Sequence, residues 1–320
     1  MKPTLVLLAA GMSTRYGRLK QLEPVGPHGE ALLDYAVFDA YKVGFRRILL
    51  IIREELEEGF QAHLHGRWPE DMEVVFHHQK LSDLPGIAPE VLAQEEAAAV
   101  LRERRKPWGT AHALLTARAR LPEAFVILNA DDFYGLEAFH QALDLLQGGI
   151  LDAGPPPTFG LITYTLAETL SGHGGVNRGI CEVDGEGWLA GVRETLEISG
   201  SPGNLKGQTV AGEGVGLTGE EPISTNFWLF SAQVFPLLES AFQAFFSAQL
   251  QEDEAPPEFL IPTVMNGAIE HGTARVRTTP TKGRFLGITH PDDRSQVVGS
   301  LARMAEDGWY PAPLWGRTAK

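Results

Sequence analysis

The stretch Leu5–Leu22, LVLLAAGMSTRYGRLKQL, decides how the rest of this chain is read. Val6, Leu7 and Leu8 continue an apolar run that opens almost at the N-terminus, and Ala9, Ala10 and Gly11 remove side-chain bulk where the run ends. A small-residue turn after a buried strand lets backbone N–H groups approach a ligand closely. Ser13, Thr14, Arg15 and Lys20 add hydroxyls and cations at that turn, so the stretch predicts a phosphate cradle. The plainer alternative is a strand-to-helix turn with exposed cations. Two familiar phosphate loops do not fit: G-x-x-x-x-G-K-[ST] needs a lysine directly after its second glycine, and G-x-G-x-x-G needs a glycine where Met12 or Thr14 stands.

Working outward, Leu32, Leu33, Ala36, Val37, Ala40 and Tyr41 fall at helical spacing before Gly44, and Ile48–Ile52 is a continuous apolar run of the kind buried on both faces of a sheet. Strand, helix, strand is a parallel unit. A charged helix over Glu54–Leu64 and a third strand over Met72–Phe76 follow, with His77, His78 and Gln79 at its end. Lys80–Arg105 breaks the rhythm and reads as an insertion or lid. In KPWGTAHALL, Lys106–Leu115, Pro107 and Gly109 make a turn and Thr110 can cap a helix. The Gly109–Ala113 segment also fits a close helix–sheet contact.

Ala124–Leu128 is a strongly apolar strand that runs directly into Asn129, Ala130, Asp131 and Asp132. Carboxylates at the C-terminal end of a parallel strand stand where α/β sheets place ligands, and hard oxygen donors there suit Mg²⁺. Alternation along a strand turns Asp132 away from Asp131 or leaves it to cap the next helix. Further along come a helix to Gln147, an alternating strand over Phe159–Leu166, and the Gly-rich run Ile198–Glu221, which reads as a flap or a hairpin excursion. Another strand covers Ile223–Phe230, with Trp228 assigned to packing. An amphipathic helix follows over Val234–Leu250, then short strands over Thr273–Thr278 and Phe285–Thr289.

With 320 residues, 43% hydrophobic and 21% charged, the chain has the composition of a globular protein. Lys plus Arg number 27 against 41 Asp plus Glu, a net charge of −14, which argues against nucleic-acid and anionic-membrane partners. Cys181 is the single cysteine, so an intrachain disulfide is impossible and a reducing, cytoplasmic setting is expected. The apolar N-terminal run is too short for a signal peptide or a membrane span. His63 and His65, like His77 and His78, match no zinc spacing.

Together these stretches resemble the sugar-nucleotidyltransferase family, the pyrophosphorylases that join a nucleoside triphosphate to a sugar 1-phosphate. The resemblance is carried by L-A-A-G-x-x-[ST]-R…K at Leu8–Lys20, by Gly109–Ala113 and by LNADDFYG at Leu128–Gly135. It implies a three-layer α/β/α sandwich with a mostly parallel sheet, the nucleotide-diphospho-sugar transferase (GT-A-like) fold. One domain would span 1–320, with residues 1–150 taking the nucleotide and 151–320 the acceptor.

In such enzymes Ala9, Ala10, Gly11, Met12, Ser13 and Thr14 would wrap the triphosphate, and Arg15 and Lys20 would neutralise it. Gln79, Gly109 and Thr110 would lie against the base. Asp131 would hold Mg²⁺, shared with Asp292 or Asp293, of which Asp293 is preferred. The pattern R-[YN]-G-x-x-x-x-D…I-x-E-K-P maps Arg178, Gly179, Asp184 and Glu194 onto the sugar site, and Asn226 follows from [TV]-N-x-G-x-Y-x-F. Thr195 departs from it, standing where the family usually has lysine, as Thr289 stands for the first aspartate of D-x-P-E-D. The implied partners are small molecules, an NTP and a sugar 1-phosphate or a related phosphate. A glycosyltransferase would normally carry D-x-D at the strand end, absent here, and a non-catalytic regulatory relative tends to lose the loop cations or the aspartate, both present here.

Overall fold

Hydrophobic runs in the first half of the chain become neighbouring parallel strands. The computed structural model describes residues 3–11, 14–15, 18–250 and 258–316. β1 (Thr4–Leu8) is followed by β2 (Thr14–Arg15) and β3 (Arg18–Leu19), which pair with each other, then α1 (Leu32–Val43), β4 (Arg47–Ile52), α2 (Glu57–Leu64) and β5 (Glu73–His78). α3 (Pro89–Leu92), α4 (Glu95–Glu103), α5 (Thr110–Thr116), β6 (Phe125–Asn129), β7 (Asp132–Phe133) and α6 (Leu136–Gln147) complete that half. Next come β8 (Thr158–Thr165), β9 (Val176–Val183), β10 (Leu189–Ser201), β11 (Asn204–Thr209), β12 (Gly214–Leu217) and β13 (Pro222–Phe230). The chain closes with α7 (Val234–Gln249), α8 (Ile261–Glu270), β14 (Arg275–Pro280), β15 (Leu286–Gly287) and α9 (Asp293–Glu306).

One 11-stranded sheet runs β12-β11-β10-β9-β13-β6-β1-β4-β5, with β8 pairing to β13 and β14 to β8. The section β6-β1-β4-β5 is parallel throughout, as the apolar runs require. Leu5–Leu7, Ile48–Ile52 and Phe125–Leu128 are wholly buried in it. Beyond β6 the sheet turns antiparallel through β13, β9, β10, β11 and β12. The order reverses at β1, whose neighbours are β4 on one side and β6 on the other. That reversal opens a crevice beyond the strands' C-terminal ends, where a doubly wound sheet binds ligands. The loop after β1 and the Asn129–Asp131 end of β6 are its two lips.

Of the two readings of Ile198–Glu221, the hairpin excursion holds and the flap does not: the end of β10, then β11 and β12, form an antiparallel meander. Its pattern escapes period-2 reading because the register slips between Leu196 and Ser199, where Glu197 has φ 53. The 80–105 segment is pinned rather than loose. Trp108 Nε1 donates to Leu81 O at 3.0 Å, His112 Nε2 to Asp83 O at 2.7 Å, and Gln243 Nε2 to Gly86 O at 2.7 Å. A second core joins α1, Phe133, α9 and Tyr310–Leu314, a region the sequence pattern left unread.

Candidate active site

The apolar run of β1 ends at Ala9, which is fully buried and donates its N–H to Ile51 O at 2.8 Å. Ala10 and Gly11 then emerge into a cavity of about 440 Å³ whose far wall is Asp131. The ε-ammonium of Lys20 crosses the opening and meets the Asp131 carboxylate at 2.5 Å. Two groups 111 residues apart are thereby joined at the crevice. Met12 and Ser13 lie outside the described residues, as do the side chains of Thr14 and Arg15, although the backbone of that pair forms β2.

Gln79 and Gly109 lie on the same cavity, and each has a structural duty. Gln79 Nε2 donates to Gly109 O at 3.1 Å and to His112 Nδ1 at 3.0 Å, which leaves its carbonyl oxygen as the remaining hydrogen-bonding edge. Burial lowers the His112 pKa to about 4, so the ring is neutral, and its Nε2–H is committed to Asp83 O. Gly109 has φ 120, and an added Cβ would lie 2.4 Å from Phe259 O. Close packing is therefore one reason for this glycine. The Thr110 hydroxyl accepts the Ile261 N–H at 3.2 Å and so satisfies the first turn of α8.

A second cavity of about 420 Å³ adjoins the first, sharing Thr110 and Asn129 with it, and Lys20 lines it. Arg178, Gly179, Glu194 and Asn226, scattered over β9, β10 and β13, all line it. Arg178 is held by Thr169 and the Asn177 carbonyl, with Nη2 to Thr169 O at 2.6 Å. Burial lowers its pKa and raises that of Glu194, against which the Arg178 charge works. Asn226 has φ 62, and its Nδ2 donates to Asn129 Oδ1 at 3.4 Å. Thr195 is buried and does not line this cavity, whose cations among the described residues are Lys20 and Arg178.

Asp132 does not cap α6, and it faces a different cavity from Asp131, the second one, accepting from Asn129 Nδ2 at 3.0 Å. β6 ends at Asn129, and Asp132 belongs to β7, whose pairing with β15 resets the direction of its side chain. Gly287, its partner, has no side chain to obstruct it, since a Cβ there would lie 2.9 Å from Asp132 Oδ1. Burial, reinforced by the adjacent Asp131 charge, pushes the Asp132 carboxyl up to about 7.

Asp293 and Asp131 line different cavities. Oδ1 accepts from Ser171 Oγ at 2.5 Å and faces His173 Nδ1 at 3.1 Å, and Oδ2 accepts the N–H groups of Thr289 and His290 at 3.1 and 2.7 Å. Those hydrogen bonds outweigh its burial and lower its pKa. These bonds anchor the turn before α9. Asp292 is the residue preceding that helix. Among the described residues, no group of three His, Cys, Asp or Glu side chains is placed to hold a metal ion. His63 and His78 face the carboxylates of Asp34 and Glu57 at 2.8 and 2.6 Å.

A loop of small residues, a lysine and a strand-end aspartate thus converge at the switch point of the parallel sheet. Residues 5–143 match the MobA-like NTP transferase domain. That match covers the module from β1 into α6 and includes both lips of the crevice. Solved structures extend the likeness of fold to nearly the whole chain. The inositol-1-phosphate CTP transferase from T. maritima superposes with a TM-score of 0.58 at 14% identity, over 96% of this chain and 97% of that one. HddC from Yersinia pseudotuberculosis gives 0.55 at 15%, over 93% and 99%. The UDP-glucose pyrophosphorylase from Acinetobacter baumanii gives 0.55 at 14%, over 93% and 92%. The comparison with curated proteins returns no match. No helix among the described residues is long and apolar enough to cross a membrane.

The sequence missed Asn129 and Asp132 as cavity residues. Asn129 could have been found as the first polar residue on an otherwise apolar strand. Gln21, buried with Nε2 3.4 Å from Gly11 O, gave no such signal.

Proposed function

We propose that this protein is a nucleotidyltransferase that moves a nucleoside monophosphate from an NTP to a sugar 1-phosphate, or a similar phosphorylated small molecule, with release of pyrophosphate. The observation that carries this reading is the 2.5 Å contact of Lys20 with Asp131, set between two adjoining cavities of about 440 and 420 Å³. The first has room for a nucleotide beside the glycine loop. The second combines two cations with carboxylates and amides, a lining suited to a phosphate that carries hydroxyl groups.

The attacking phosphate oxygen is already ionised near neutral pH, so alignment and charge neutralisation are what the reaction asks of the protein. Lys20, with Arg15 from the loop, neutralises the departing pyrophosphate, and the loop N–H groups add further donors. Arg178 holds the acceptor phosphate, while Glu194, Asp132 and Asn226 take its hydroxyls. Gln79, Gly109 and Thr110 border the base. A Mg²⁺ ion suits the donor chemistry, since it binds through one or two carboxylates with substrate phosphates and water completing its shell. Asp131 is the residue that would hold it, and the ion would supply charge neutralisation at the phosphates. Asp293 instead engages Ser171, His173 and the N–H groups of Thr289 and His290.

The test is incubation with each NTP, Mg²⁺ and a panel of sugar 1-phosphates and related phosphates, with detection of pyrophosphate. Release that depends on both substrates supports the proposal. Tight NTP binding without release across the panel favours a regulatory role, and consumption of a nucleotide sugar favours a glycosyltransferase.

A further inference from the structure

The two sides of the second cavity come from distant parts of the chain, Asn129 at the end of β6 and Asn226 inside β13. β13 is irregular between them. It pairs with β8 and β9 up to Ser224 and resumes at Trp228 against β8 and β6, so the register shifts across residues 225–227. Within that gap Asn226 takes φ 62, a conformation few non-glycine residues adopt without support. A backbone that leaves its ladder must find other partners for its polar groups.

Ser224 Oγ accepts the Asn226 N–H at 3.3 Å, and Tyr134 serves the Thr225 carbonyl beside it. Its phenol, wholly buried, donates to Thr225 O at 3.0 Å and accepts the Asn129 N–H at 3.0 Å. One hydroxyl has one proton to give and lone pairs to receive, so both duties are met by one atom. Its ring is held edge-on by Phe227 at 5.3 Å and Phe285 at 5.8 Å, and its own carbonyl accepts from Tyr164 Oη at 2.7 Å. Burial raises the phenol pKa well above its ordinary value, which keeps the donated proton in place.

We propose that Tyr134 is a positioning residue for the acceptor side, a brace that locks the left-handed Asn226 turn to the Asn129 strand end so that both walls of the cavity hold one geometry. The assignment of that cavity to the acceptor rests on the function proposed above. The brace itself rests on the hydrogen bonds.

Tyr134→Phe keeps the ring and removes only the bridging oxygen. With the acceptor found by the pyrophosphate assay, its KM is expected to rise about tenfold, as for loss of a buried hydrogen bond, with the NTP KM changed less than about twofold. Tyr310→Phe deletes a buried phenol that bonds Asp39 and lines neither cavity, and should lower the melting temperature without moving the acceptor KM. The proposal is overturned if both KM values move together in Tyr134→Phe, or if neither moves.

Should no phosphate be turned over, the proposed activity fails by itself, and hydrogen exchange judges the brace. Amides 226–227 must exchange faster in Tyr134→Phe while those of β4 do not, and unchanged exchange refutes it. If the variant does not fold, the wild type answers. The amides of Asn129 and of 226–227 must then share one opening free energy, and separate openings would sink the idea.

Discussion

Replacing Lys20 with methionine separates a catalytic charge from a structural one. The side chains of the Lys20–Asp131 pair are 16% and 27% exposed, so the pair is neither free in solvent nor sealed in the core. Exposed pairs contribute about 0–1 kcal/mol to stability, and methionine retains the packing of the lysine stem. Stability should therefore fall by no more than about 1 kcal/mol. Stabilising charge that develops on a leaving group inside a cleft is worth more. Loss of one fixed donor of that type costs about 3 kcal/mol, roughly 10²–10³ in turnover. Lys20→Met should thus keep a cooperative denaturation curve with a nearly unchanged midpoint, while pyrophosphate release drops by at least about a hundredfold. Urea titration and the release assay on one preparation give both numbers. Turnover within a few-fold of wild type would refute the catalytic reading, and a collapse of stability matching the loss of activity would show that the pair is structural.

Gly109→Ala places a Cβ against the Phe259 carbonyl and forces alanine to φ 120, which should cost at least about 1–3 kcal/mol, seen as a lower melting temperature, with weaker NTP binding by calorimetry. Asp39, buried beneath Tyr310, has its pKa pushed up to about 8 by desolvation. The folded form keeps a proton that the unfolded chain releases near pH 4, so this contribution to stability is fully present below that pH and is lost as pH rises toward 8. Asp39→Asn should flatten that slope, as urea midpoints at pH 5 and pH 8 will reveal. Cys181 is buried with its thiol pushed up to about 12, so an aromatic disulfide reagent should label it only after denaturation, and rapid labelling of the native protein would contradict its position in β9.

What the sequence determined by itself was the half of the fold built from continuous signals. Ile48–Ile52 and Ala124–Leu128 announce doubly buried strands, Gly44 ends a helix with φ 111, and the small residues after β1 announce a loop with room for a ligand. These are local properties, since burial of a run and the conformational freedom of a glycine can be read within a few residues. The run over 198–221 stayed undecided between a flap and a hairpin because a bulge breaks its period, and the core made by Tyr310–Leu314 was hidden because its packing partners lie on α1. Only tertiary structure decided which polar groups meet. It set Lys20 on Asp131, turned Asp132 into the second cavity by pairing β7 with β15, and consumed both oxygens of Asp293 at the start of α9. Such outcomes depend on strand register and on contacts across more than a hundred residues, and a one-residue change in register reverses the direction of every side chain involved.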